Sequence, residues 1–107
     1  MSRYARHKDR NHSQVVDWFH QLGASVETLE SPRAGVPDLL VGYLGVDQLV
    51  EVKPLVGETR KRELRASQVD WHASWRGRKP VVVRTLADVT KVLASIRGNL
   101  TCAEVAS

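Results

Sequence analysis

Asp38, Glu51 and Lys53 are the residues of this chain best spaced to do chemistry together. They lie within GVPDLLVGYLGVDQLVEVKP, residues 35–54, which otherwise reads as two apolar strands joined by a short turn. Strand side chains alternate faces, so Glu51 and Lys53 point one way while Val50 and Val52 point the other. On the first strand Asp38, Leu40 and Gly42 share a face. A hairpin turning around Leu44 to Val46 sets Asp38 opposite a position between 51 and 53. Directly opposed Cβ atoms lie about 5 Å apart, so one turn geometry gathers two carboxylates and an ammonium on a single face.

Two carboxylates that close repel, and one pKa rises. Burying them unpaired costs several kcal/mol per ion. Lys53 can neutralise one as a plain ion pair near a sheet edge. Alternatively, a divalent cation can hold both. Mg²⁺ characteristically takes one or two carboxylates together with waters and substrate phosphate, and the Val52 carbonyl lies where it can add an oxygen. The chemistry is then metal-assisted hydrolysis of a phosphate ester, with a bound water made acidic and a phosphoryl oxygen polarised. Lys53 would orient that water or stabilise charge building in the transition state. The spacing is compatible with either arrangement. The apolar surroundings and nearby basic loops favour the cation.

The elements that must position these groups can be read from periodicity. Val15, Phe19 and Leu22 recur at helical spacing, widened by Val16 and Trp18, and predict a first helix over 11–22. Asn11 would cap it, Gln14 would complete a capping box, and Gly23 would take the left-handed C′ position. ASVETL (24–29) alternates and reads as a strand, followed by the two strands of the hairpin. Gly45 and Asp47 suit the tight turn. Pro37 is tolerable at a strand start, and Pro54 ends the second hairpin strand. Ser67 with Asp70 predicts a second helix closed by Gly77. PVVVR (80–84) reads as a strand buried on both faces, and Thr85 with Asp88 starts a last helix ending at Gly98, with 99–107 as a frayed tail. The order is α-β-β-β-α-β-α. The fourth strand follows a helix and should join a neighbour in parallel through a right-handed crossover, which predicts an α/β fold with a mixed sheet flanked by helices.

The 107 residues fit one domain, with 42% hydrophobic and 26% charged residues and no repeat or low-complexity tract. No apolar run is long enough to span a bilayer. The start, MSRYARHKDR, is basic without the apolar core of a secretory signal. Cys102, the single cysteine, excludes an internal disulfide and a cysteine zinc site and fits a reducing cytoplasm. The net charge of +4 and pI of about 9.6 point weakly to a polyanion. The cations cluster: Arg3, Arg6, Lys8 and Arg10 in an N-terminal arm (1–10), Arg60, Lys61, Arg62 and Arg65 in one loop, and Arg76, Arg78 and Lys79 in another. Arg33, Arg60, Lys61, Arg62 and Arg65 are the candidate phosphate contacts for a nucleic acid. A solvated surface would show the same runs.

Other constellations carry less. His7, His12 and His20 show no paired helical spacing for a metal. His72 follows Gln68 by one turn and can share its face. Trp71 and Trp75 are one turn apart, which fits a core or dimer contact better than base stacking. No Ser-His-Asp or Cys-His arrangement and no Gly-rich phosphate loop is legible.

The string Pro37-Asp38, then Glu51-Val52-Lys53, resembles the PD-(D/E)XK nuclease signature, and the αβββαβ order resembles that superfamily's restriction-endonuclease-like core. More narrowly, the chain is similar to small stand-alone VRR-NUC (virus-type replication-repair nuclease) domains, often phage-encoded. The similarity takes in QVVDWFHQLGASV before the motif, and LRASQVDWHASWRG and VVVRTLADV after it. The resemblance implies a Mg²⁺- or Mn²⁺-dependent DNA endonuclease acting in replication, repair or recombination, with branched DNA favoured by several members and dimers common. It makes Asp38 and Glu51 metal ligands, Lys53 the catalytic lysine and Gln68 a helix residue facing the site. Such domains place a glutamate in the first helix where this chain has Gln14, a poorer ligand. That departure keeps open a second function, a DNA-binding or assembly module of nuclease fold that cuts weakly or not at all.

Overall fold

The computed structural model describes residues 3–54 and 64–106, with side chains described at 11–54 and 64–99. The elements follow the expected order. Helix α1 (Arg3–Gln21) leads into strands β1 (Ser25–Thr28), β2 (Leu39–Tyr43) and β3 (Val46–Val52). Helix α2 (Ala66–Ser74), strand β4 (Val81–Val83) and helix α3 (Leu86–Ala106) complete the chain. The strands form one sheet in the order β1-β2-β3-β4. The first three pair antiparallel and β4 joins β3 in parallel, so the sheet is mixed.

Alternation divides the sheet into two unlike faces. Leu39 pairs with Val50 across the hairpin and Val52 with Val83 in the parallel ladder, so Leu39, Val41, Val50 and Val83 share one face. All four are fully buried, against Val15 and Phe19 of α1 and Val89, Leu93 and Ile96 of α3. These helical residues recur at intervals of three and four, one apolar stripe per helix. Burying each such side chain contributes roughly 1.5–3 kcal/mol. The opposite face, with Leu40, Leu49 and Val82 half-buried, is left for polar side chains and α2.

Several boundaries differ from the sequence reading. Helix α1 starts at Arg3, because the arm contains no Gly or Pro and its Arg, Lys and Ala residues favour helix. Asn11 is therefore inside the helix, and the expected cap and Asn11–Gln14 capping box do not form. The C-terminal expectation holds. Gly23 has φ +94, with Ala24 N–H on Phe19 O at 3.0 Å and Gly23 N–H on His20 O at 3.0 Å, the Schellman pattern. The hairpin closes on Leu44 and Gly45, with φ 51 and 80, both positive as a two-residue type I′ turn requires. Asp47 lies in β3. Helix α2 begins before Ser67, capped at Arg65 instead of by a Ser67–Asp70 box. The Thr85–Asp88 box does form: Asp88 N–H donates to Thr85 Oγ1 at 3.2 Å and Thr85 N–H to Asp88 Oδ2 at 3.1 Å. Helix α3 runs through Gly98 to Ala106, since one internal Gly costs only about 1 kcal/mol relative to Ala and does not by itself stop a helix. Residues 99–106 thus belong to α3. In β4 only Val83 is buried, while Val81 and Val82 are half-buried, because β4 is an edge strand.

Candidate active site

The β2–β3 register, continued one step past Leu39↔Val50, sets Asp38 opposite Glu51. Both lie on the face away from the two core helices, as does Lys53. All three are buried, at 7%, 3% and 7% exposure. The hairpin thus brings these groups to one end of the sheet, as their spacing predicts.

Each is held by a specific contact. Asp38 Oδ2 accepts the Val52 N–H at 2.8 Å, and Asp38 O accepts Leu29 N–H at 2.8 Å. The carboxylate thus extends the ladder where β2 has ended. Gln68, on the first turn of α2, uses both ends of its amide. Its Nε2 donates to Glu51 Oε2 at 2.8 Å, and its Oε1 accepts from Lys53 Nζ at 2.9 Å and from Arg65 N–H at 2.8 Å. One side chain links acid, lysine and helix start. The turn that carries it is fixed by Gly35. That residue has φ +91, and a Cβ there would sit 2.3 Å from Ser67 O and 3.1 Å from Trp71 Cβ, so only glycine permits this approach.

The Lys53 backbone is fixed on both sides: its N–H donates to Val83 O at 3.0 Å and its carbonyl accepts from Asn11 Nδ2 at 2.7 Å. Among the described side chains of α1, Asn11 reaches the site. Gln14, one turn on, is exposed. The sequence gives Asn11 the look of a helix cap, which hides this role, because the helix in fact starts earlier.

Electrostatics concentrates on Lys53. Burial pulls its pKa below the usual lysine value, with the Arg65 and Arg84 charges acting the same way and Glu51 and Asp38 opposing. Arg84 is not among the expected site residues, yet the parallel register reveals it: Val52 pairs with Val83, so the next residues, Lys53 and Arg84, are neighbours. His72 does share the side of Gln68. Its pKa is lowered first by burial and then by the Lys53 charge. Its Nε2 is buried with no hydrogen-bond partner among the described residues. Arg65 and Arg33 are exposed, and the Arg33 N–H donates to Ser31 Oγ at 3.1 Å. Arg60, Lys61 and Arg62 lie outside the described residues, as do the side chains of the arm. Trp71 is half-buried and Trp75 exposed, so the pair is not core.

The donor set suits a hard cation. Asp38 and Glu51 offer carboxylate oxygens, about four lone-pair sites on each carboxylate. Among the described residues no group of three or more His, Cys, Asp or Glu forms, so water and substrate would supply the other ligands of a Mg²⁺-like ion.

No protein-family model matches the sequence, and neither does any curated protein. Among solved structures, one described as a VRR_NUC domain superposes with a TM-score of 0.62 at 31% identity, covering 79% of this chain and 91% of that one. The chain belongs to the VRR_NUC family. The mixed sheet with its flanking helices is thus a VRR_NUC fold, a nuclease-type domain, and the cluster at the end of β3 is its candidate active site. No helix among the described residues is long and apolar enough to cross a membrane.

Proposed function

We propose that this VRR_NUC domain is a metal-dependent DNA endonuclease of PD-(D/E)XK type, with Asp38, Glu51 and the Val52 carbonyl holding Mg²⁺ or Mn²⁺. The observation that carries the reading is the buried Asp38–Glu51–Lys53 cluster at a strand end, with Gln68 of α2 bridging Glu51 and Lys53. Three charges in such a place are costly unless they serve a ligand. When bound, the cation supplies an acidified water and a polarised phosphoryl oxygen.

The chain's own groups do the rest. Gln68 holds Glu51 and Lys53 in register. Burial lowers the Lys53 pKa and so reduces the cost of its neutral form, in which Nζ can accept a proton from the attacking water. As an ammonium it stabilises charge on the phosphoryl oxygens instead. Arg65 and Arg84, whose charges Lys53 feels, attract the phosphodiester. Arg33, Arg60, Lys61 and Arg62 extend this attraction along the DNA backbone. A dimer working in the cytoplasm, with two such sites, would cut both strands of a duplex or junction.

A second reading has a specific observation in its favour: helix α1 brings an amide, Asn11, to the strand end, and Gln14 is neutral and exposed. Under that reading the domain binds or assembles on DNA and cleaves weakly. A cleavage panel separates the two. Single strands, duplex, flaps, four-way junctions and RNA are incubated with Mg²⁺ or Mn²⁺, beside Glu51→Gln. Cutting of a DNA substrate that Glu51→Gln abolishes supports the endonuclease. DNA binding without cutting supports the module.

A further inference from the structure

Helix α2 buries none of its residues fully, yet its Trp71 is ordered against Trp75, the residue at its C-cap. Trp71 and Trp75 stack with ring centroids 4.7 Å apart and planes 13° from parallel, while Trp75 stays 41% exposed. The segment that presents this pair is fixed. Trp75 N–H donates to Trp71 O at 3.1 Å, and Lys79 Nζ closes the helix end on Ala73 O at 2.9 Å and Trp75 O at 2.5 Å. The Gly77 backbone lies against the indole, since a Cβ there would sit 2.8 Å from Trp75 Nε1.

The anchor of the segment is Gln48, only 3% exposed, on the strand that carries Glu51. Its Nε2 donates to Lys79 O at 2.8 Å and its Oε1 accepts from Arg78 Nε at 2.7 Å. An exposed aromatic stack is therefore tied to the strand of the candidate active site. Around it stand Arg76, Arg78 and Lys79, all exposed, and residues 71–80 contain no carboxylate.

We propose that the Trp71–Trp75 stack is a platform for an unpaired nucleotide, its base stacking on the indoles and its phosphates drawn by the cations of 76–79. Charge decides the occupant. In a twofold contact the same patch meets itself, which would press these cations against their own copies, whereas a nucleic-acid strand neutralises them. The proposal rests on the reading of the chain as a DNA-processing domain. It adds that the substrate carries unpaired bases beside α2.

The test uses the full chain carrying Glu51→Gln, so that DNA is bound and not cut. Tryptophan fluorescence is followed during titration with oligo(dT), an abasic strand of equal length and a blunt duplex. The expected result is quenching by oligo(dT) but not by the abasic strand. Trp75→Ala should reduce the preference for oligo(dT) over duplex about tenfold, and Trp75→Phe should restore part of it. Equal quenching by the abasic strand, or an unchanged preference in Trp75→Ala, overturns the platform. A concentration-dependent dimer that Trp75→Ala dissociates also overturns it, by assigning the pair to a second copy. Normal duplex binding alongside those results leaves the endonuclease reading standing, whereas no binding to any DNA removes both.

Discussion

Gln68 does what neither charged partner could do alone. A carboxylate there would repel Glu51, and an ammonium would repel Lys53, whereas an amide donates to one and accepts from the other. Gln68→Ala should therefore lower kcat while leaving the fold intact, since Gln68 lies on a helix with no fully buried residue. Lys53→Ala should lower kcat far more than it raises KM if Lys53 acts in the transition state; steady-state kinetics on a cleaved substrate checks both. His72 gives a pH prediction. Its folded pKa lies below the ordinary 6.5, so at acidic pH the unfolded chain takes up the proton first and the native state loses stability. The stability that neutral His72 contributes is present above about pH 6.5 and is lost as pH falls towards and through the folded pKa. Urea midpoints measured between neutral and acidic pH should fall more steeply for the native sequence than for His72→Gln.

At the scale of elements, the site depends on two docking points remote in sequence from its charges. Gly35 lets the loop after β1 approach the first turn of α2, and Asn11 ties α1 to the end of β3. Gly35→Ala forces the loop and helix apart and strains a positive φ, at a cost of about 1–3 kcal/mol. Thermal melts should show that loss, and cleavage should fall further because Gln68 moves with the turn. The hairpin and its charges are legible in the sequence because strand alternation and a two-residue turn leave one register. The apolar stripes of α1 and α3 are legible for a similar reason. The start of α1 is not, since Asn11 has the chemistry of a cap and only the helix-forming arm before it overrides that. The roles of Asn11 and Arg84 stay hidden in the sequence because they arise from tertiary neighbours: α1 crossing the strand end, and the parallel register of β4. Gln48, a polar residue in an apolar strand, gives a signal that acquires meaning only once its partners at Arg78 and Lys79 are seen.

Across the whole molecule the sheet separates stability from chemistry. One face packs on α1 and α3 and supplies the core, so Phe19→Ala should cost about 3–5 kcal/mol. The other carries the candidate site, where a neutral isostere such as Glu51→Gln keeps the side chain's shape and an oxygen for the Gln68 Nε2 bond. The sequence carries further cations at 60–62 and in the arm. Neutralising Arg60, Lys61 and Arg62 together should flatten the log–log salt dependence of DNA binding, by about 0.9 on a duplex for every phosphate these side chains neutralise. An unchanged slope would make them a solubilising surface only. The central claim is that Asp38 and Glu51 hold a cation for phosphodiester hydrolysis, and cleavage of a branched DNA by the native chain and by Glu51→Gln, each with Mg²⁺ and with excess EDTA, tests it most directly. Cutting by the native chain with Mg²⁺, and in no other arm, is the predicted result; cutting in excess EDTA, or by Glu51→Gln at the native rate, would contradict it.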